Sequence, residues 1–206
     1  MSHIESFILN DVTIYLMEIT CDEVFYAATL TEQEKEKLST INHPLKRLEF
    51  TASRYLKHHI FGSLEITYHP DSGCPIISNN NFISISHCKG YVALAVSPHL
   101  VGLDLEHVRD KSVQVASKYI HESEKKHFNV NSADEMSRLW SIKECLYKLS
   151  DRKALHFNKD IIVEKTGNNW VGFVLTKSGR MKYNIYIYRY KNIFVTFNLS
   201  KGELQR

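Results

Sequence analysis

Paired cysteines are missing from this sequence. Its four cysteines, Cys21, Cys74, Cys88 and Cys145, form no C-x-x-C unit. That argues against zinc held by thiolates and leaves reduced intracellular thiols as the simplest reading. Neither sign of charge is in large excess. A net charge of +3 and a pI of about 8.6 are too weak to indicate a nucleic-acid partner by themselves. No stretch approaches the roughly 18 to 20 apolar residues of a membrane helix. The first ten residues carry Glu5 and no basic stretch followed by a long apolar run, so no signal peptide is expected and the chain reads as cytoplasmic. Low-complexity segments, long linkers and internal repeats are also absent. No G-x-S-x-G surrounds Ser84 or Ser86, which weakens a serine-hydrolase reading.

What is present is an ordinary globular composition. The chain has 206 residues, 43% hydrophobic and 24% charged, enough for one large domain or two small ones with a real core. Eleven Tyr and ten Phe suggest substantial β content. Residues 12–19 read as a strand. Thr31 with Glu34 forms a capping box for a helix to about Leu38. Pro44 suits a first helical position, and Leu45, Leu48, Phe50, Tyr55, Leu56, His59 and Ile60 predict the apolar face of a helix ending before Gly62. Asp71-Ser72-Gly73-Cys74-Pro75 reads as a turn. Residues 82–86 and 91–96 predict a hairpin turning at His87-Cys88-Lys89-Gly90, and a strand follows over 100–106. One or two helices are expected over 112–128. A strong one is expected over 133–149, with Met136, Leu139, Ile142, Cys145, Leu146 and Leu149 on one face. The tail reads as strands, with turns at Asn168-Asn169, Ser178-Gly179 and Lys191-Asn192. This order suggests an α+β chain of two halves, 1–97 and 98–206.

Three short motifs carry chemistry. In Val101-Gly102-Leu103-Asp104-Leu105-Glu106, alternation sends Asp104 and Glu106 to one face and Val101, Leu103 and Leu105 to the core. Two adjacent carboxylates repel unless a cation sits between them, and hard oxygen donors suit Mg²⁺ or Mn²⁺. In Trp140-Ser141-Ile142-Lys143-Glu144-Cys145-Leu146-Tyr147-Lys148, the residues Trp140, Glu144 and Lys148 share a helical stripe. Ser86-His87 at the end of a strand offers a hydroxyl and an imidazole to a phosphate. Each motif also has a plain structural explanation when taken alone: an edge strand, a salt-bridged surface, a turn histidine.

In this order and spacing the motifs strongly resemble those of the 4′-phosphopantetheinyl transferase superfamily: an S-H pair, then G-[IVL]-D-[IVL]-E, then W-[ST]-x-K-E-[ASC]-x-x-K. Pro44-Leu45-Lys46-Arg47-Leu48-Glu49-Phe50-Thr51-Ala52-Ser53-Arg54 also resembles the family's upstream K-R-x-x-E-F-x-x-x-R helix. The resemblance covers roughly residues 30–165. The length is similar to that of the Sfp-type group. It implies two similar α/β halves related by a pseudo-two-fold axis, with the active site at their interface, in a monomer.

The resemblance also implies a reaction. Coenzyme A would bind between the halves, with Mg²⁺ (or Mn²⁺) held by Asp104, Glu106 and Glu144. Lys148 would stabilise the leaving phosphate, and Glu144 would take the proton of an attacking serine. That serine belongs to an apo acyl or peptidyl carrier protein, and 3′,5′-ADP leaves. Arg54, Ser86, His87, Lys143 and Lys148 would contact the coenzyme, and Glu124 aligns with a helix acid placed near the site in some members. Carrier proteins are usually acidic, so Lys46, Arg47, Lys118, Lys125 and Lys126 are candidates to steer them. The sequence departs from the family at Gly73-Cys74-Pro75, where a G-K-P is frequent. Two other readings compete: a non-catalytic member that binds coenzyme A or a carrier protein, and a metal-dependent nuclease. The nuclease needs a lysine two residues after the glutamate, and Val108 stands there.

Overall fold

A computed structural model describes residues 3–62, 64, 66–68, 75–77, 81–150, 155–176 and 178–205. Two antiparallel sheets carry the chain. The first contains β1 (Ile4–Leu9), β2 (Val12–Glu18), β3 (Ile66–Tyr68), β4 (Pro75–Ile77), β5 (Phe82–Cys88) and β6 (Tyr91–Ser97), in the order β1-β2-β6-β5-β4-β3. The second contains β7 (Leu103–His107), β8 (Ile161–Thr166), β9 (Asn169–Thr176), β10 (Gly179–Tyr190) and β11 (Ile193–Asn198), in the order β7-β11-β10-β9-β8, with β12 (Glu203–Gln205) on β10. The chain passes from one sheet to the other between Ser97 and Leu103.

The two-residue period of the strands sorts the side chains into layers. Val12, Ile14 and Leu16 of β2 and Tyr91, Ala93 and Ala95 of β6 meet Val101, Leu103, Leu105, Ile193, Val195 and Phe197 from the second sheet. The alternate residues Met17, Val92 and Leu94 face the other way, against Ala52 and Leu56 of α3 (Pro44–Phe61). The outer face of the second sheet packs on α5 (Ala133–Lys148) through Met136, Leu139, Ile142, Cys145 and Leu146. The sheets therefore lie face to face, with one long helix on each outer surface. No helix among the described residues is long and apolar enough to cross a membrane.

The local signals for the helices act as expected. Thr31 and Glu34 form both bonds of the capping box at the start of α2 (Glu32–Ser39), which follows the short α1 (Glu23–Ala27). Pro44 opens α3. Ser132 caps α5 by accepting from the amide of Glu135.

Four expectations are corrected. Of the apolar face expected for α3, Leu48, Tyr55, Leu56 and Ile60 do pack on the core, but Leu45 is 40% exposed and His59 is exposed, and the buried set also holds the polar residues Glu49, Thr51, Ser53 and Lys57. The helix is covered by α2 as well as by the sheet, so polar residues are buried as pairs. Glu34 of α2 receives His58, Lys57 and Arg54 at 2.7, 3.5 and 3.5 Å. Arg47 is not a free steering charge. It binds both carboxylate oxygens of Glu23 and the carbonyls of Leu38 and Ile41, tying α1 and the end of α2 to α3. The segment 112–128 holds a four-residue helix, α4 (Lys111–Gln114), and two 3-10 turns (Ala116–Lys118 and Glu122–Lys126) instead of regular helix. Its path is reset at His121, where a second capping box with Glu124 begins. Finally, His87 and Cys88 belong to β5, because the turn needs only Lys89 and Gly90, whose φ of +85° suits glycine. The turn expected at Asp71-Ser72-Gly73-Cys74, with its departure from the family pattern, lies outside the described residues.

Candidate active site

β7 is an edge strand paired on one side with β11. Its acids nevertheless do not face water: Asp104 is 6% exposed and Glu106 is 8% exposed. The reason lies on the strand's other side. There the amides of Leu103 and Leu105 donate to the hydroxyls of Ser84 and Ser86, at 3.0 and 3.1 Å. Two serines at β spacing thus stand where a neighbouring strand would.

Ser86 also donates to Asp104 Oδ1 at 3.2 Å and accepts from Lys148 Nζ at 3.2 Å. One donor and two acceptor sites of a hydroxyl are then all in use. Lys148 reaches the Leu103 carbonyl as well, and lies 3.4 Å from Asp104 Oδ1. Ser141 fixes the other carboxylate oxygen, donating to Asp104 Oδ2 at 2.9 Å, and meets Thr196 of β11 at 2.8 Å. The stripe of α5 facing β7 is therefore Ser137, Ser141, Glu144 and Lys148. Ser137 receives the amide of Arg109. Trp140, expected on this stripe, turns away and packs on Tyr119 and Phe157.

α5 comes this close to β7 because Gly102 has no side chain. A Cβ there would stand 2.3 Å from the Cys145 carbonyl oxygen. The backbone of Gly102 is held on both sides, its amide by Asn198 and its carbonyl by the Cys145 thiol.

The charges are unbalanced in a telling way. Burial, with Asp104 adding, pushes Glu106 up to about 7 against the pull of Arg109, which contacts it at 2.7 Å. Burial and then Asp104 also raise Glu144, while Lys148 and Arg109 lower it. Glu106 on the strand and Glu144 on the helix thus both sense Asp104. Lys148 and Arg109 compensate part of their charge.

The cleft beside them has a volume of about 800 Å³ and is lined by Lys46, Glu49, His87, Lys89, Glu106 and Arg109, among others. A second hollow of about 470 Å³ shares Lys46 and His87 with it and adds Arg54 and Phe50. His87 faces Glu49 at 3.3 Å, and Glu49 also takes Lys46 at 2.7 Å. Burial holds His87 below the usual imidazole range, aided by Lys46 and Lys148 and opposed by Glu49. Arg54 stacks on Phe50, 4.8 Å from the ring centre.

The structure therefore gathers Ser86, Asp104 and Lys148 in direct contact, with Glu106 and Glu144 in electrostatic reach. It places His87 and Arg54 on one continuous hollow. It does not bring Lys143 there. That ammonium is sealed inside, 2.9 Å from Glu124, and both side chains have 0% exposure. Direct contact with a coenzyme is closed to it, and Glu124 is likewise an internal partner. Ser84, Ser141, Arg109 and Glu49 enter the site unforeseen. Ser84 and Ser141 had a signal in their spacing, two residues before Ser86 and three before Glu144.

Does this donor set suit a divalent metal? The chemistry fits: three hard carboxylates, two of them raised by burial and by a shared neighbour, as acids awaiting a cation are. Among the described residues, however, no three His, Cys, Asp or Glu side chains stand close enough to form a ready coordination group. Glu106 is turned to Arg109 and Asp104 to Lys148.

A pH effect follows. Where the folded pKa is raised, stability is intact below the unfolded value, about 4.5, and is lost as pH rises through the folded value. For Glu106 that window ends at about 7. Glu144 acts with the same sign. His87 and His99, held low by burial, act oppositely, so the difference from Glu106→Gln is the quantity to read. In metal-free protein the wild-type melting temperature should fall relative to Glu106→Gln between about pH 4.5 and 7, and parallel profiles would refute the burial argument.

Comparison with known proteins bears on the same elements. Residues 100–190 match the family model of the 4′-phosphopantetheinyl transferase superfamily. A 4′-phosphopantetheinyl transferase gsp of Aneurinibacillus migulanus is 29% identical over 80 residues, which are 37% of this chain and 34% of that protein. The match thus spans about a third of the curated relative's length. The stretch that carries β7, α5 and their acids is thus the part of the chain that is similar to the 4′-phosphopantetheinyl transferase superfamily.

Proposed function

We propose that the protein transfers the 4′-phosphopantetheine arm of coenzyme A to a serine of an apo acyl or peptidyl carrier protein, in an Mg²⁺-dependent (or Mn²⁺-dependent) reaction. The observation that carries this reading is the junction of β7 and α5, where Asp104 is held by Ser86, Ser141 and Lys148 beside two further raised acids.

Asp104, Glu106 and Glu144 are the residues to hold the cation, which when bound neutralises charge on the diphosphate. Glu144, pushed up by burial, is suited to accept the proton of the serine hydroxyl. The serine oxygen forms a bond to phosphorus, the bond from phosphorus to the bridging diphosphate oxygen breaks, and 3′,5′-ADP departs. Lys148 supplies positive charge to that leaving group. Arg54 and His87, with Lys46, offer cationic and imidazole donors to the 3′-phosphate. Ser86 serves the centre by orienting Asp104, since its hydroxyl already makes three hydrogen bonds.

We assign residues 1–97 to the coenzyme's 3′-phosphate and residues 98–206 to the cation and the transfer. In the first part α3 follows β2, and in the second α5 follows β7, each before the return of the sheet. This supports an Sfp-type arrangement with pseudo-two-fold related halves, for which we propose a monomer.

The test mixes the protein with coenzyme A, Mg²⁺ and a panel of apo carrier proteins. Mass spectrometry should show the gain of one phosphopantetheine arm. No gain on any carrier would overturn the reading, and coenzyme binding without transfer would favour a non-catalytic binder.

A further inference from the structure

Two lysines of α5 end on opposite rims of one sheet. Lys148 donates to the Leu103 carbonyl on β7, one edge strand, beside Asp104. Lys143 donates to the Ile161 carbonyl on β8, the other edge strand, and to that of Phe157, both at 2.7 Å, beside Glu124. Glu124 in turn accepts from the amides of Val163 on β8 and His121, at 2.7 and 2.6 Å. The three protons of the Lys143 ammonium thus meet three acceptors, and both oxygens of Glu124 are engaged.

Stability alone does not explain such a pair. A buried ion pair is often no more stabilising than apolar residues of the same volume. What it supplies is registry, because a sealed, fully bonded ammonium has no second place to go. Helix α5 lies across the sheet between these two anchors. Sliding it by a fraction of a turn would leave Lys143 unpaired at one rim and would withdraw Ser141, Glu144 and Lys148 from Asp104 at the other.

We propose that the Lys143–Glu124 pair is a positioning strut that sets where α5 lies across the second sheet and so assembles the acid centre at β7. The proposal rests on the reading above for the reaction, but it concerns how the centre is put together. It replaces direct coenzyme contact as the role of Lys143.

The experiment uses the whole chain. Glu124→Gln combined with Lys143→Met removes both charges and leaves an amide oxygen to accept from Val163; each single variant is measured beside it. Mn²⁺ affinity of the coenzyme-free protein, read by electron paramagnetic resonance, should weaken by about tenfold or more in the double variant, the scale found when groups behind metal ligands are removed. Its folding transition should stay cooperative and its coenzyme A affinity without metal should be unchanged. Should that variant not fold, Lys143→Arg, which keeps the charge and alters its reach, is read the same way. Unchanged Mn²⁺ affinity in a folded variant overturns the proposal. So does loss of coenzyme affinity in Lys143→Met that is absent in Glu124→Gln, which would show direct contact. A wild type that binds Mn²⁺, with affinity lost in the variants, yet modifies no carrier, removes the proposed function and leaves the strut standing. A wild type that binds no Mn²⁺ removes both.

Discussion

Asp104→Ala and Glu144→Gln are each expected to slow transfer by about three orders of magnitude or more, with the fold retained. A metal-held centre supplies several kcal/mol to the transition state, and each 1.36 kcal/mol is tenfold in rate. Asp104 is the residue to which Ser86, Ser141 and Lys148 all converge, so its loss removes the acid that the other two sense. Glu144→Gln keeps shape and hydrogen bonding but can neither take a proton nor carry charge. Folding should survive in both, because Asp104 raises the pKa of Glu106 and Glu144. Removing it relieves a repulsion, even as Lys148 keeps the Leu103 carbonyl. The measurements are transfer rate by mass spectrometry and melting temperature by circular dichroism. A rate within tenfold of wild type in either variant would refute the assigned role. A second sign is available for Asp104→Ala: the titration of Glu106 should move down from about 7.

The largest stability effect is expected at Gly102→Ala. The new methyl would stand 2.3 Å from the Cys145 carbonyl and 3.1 Å from Leu149 Cγ. The nearer atom is backbone of α5 and cannot rotate away, so the helix must lift from β7. Overpacking of this kind costs about 3 kcal/mol at the upper end of the usual range, a fall of about 10 °C for a chain of this size. Gly172→Ala is the comparison. Its methyl would meet Leu146 at 2.4 Å, but only at side-chain atoms that can change rotamer, so its cost should be smaller. Equal melting temperatures for the two variants would mean that α5 tolerates displacement and that its closeness to β7 is not enforced at Gly102.

Much of this was legible in the sequence where one period or one cap sufficed. The alternation through Leu103 and Glu106, the stripe of apolar residues on α5, the capping box at Thr31 and the proline opening α3 are local signals, and the structure forms around them. The strand β1 was not legible, because Phe7, Ile8 and Leu9 break alternation and Ile8 is left 73% exposed. The polar part of the buried face of α3 was hidden for a different reason. Glu49 and Lys57 read as surface residues until partners from β5 and α2 neutralise them. The role of Lys143 was hidden in the same way, since its acceptors come from Glu124 and from a strand 18 residues further on. Long-range pairing of polar groups leaves no period to read.

The hydroxyls of Ser84 and Ser86 have a consequence for life in a crowded solution. An edge strand with free amides is a template on which another chain can zip. Here the outward amides of Leu103 and Leu105 are already answered from the facing sheet. The strand bearing two acids can remain short and unpartnered along that edge without inviting fibril-like association.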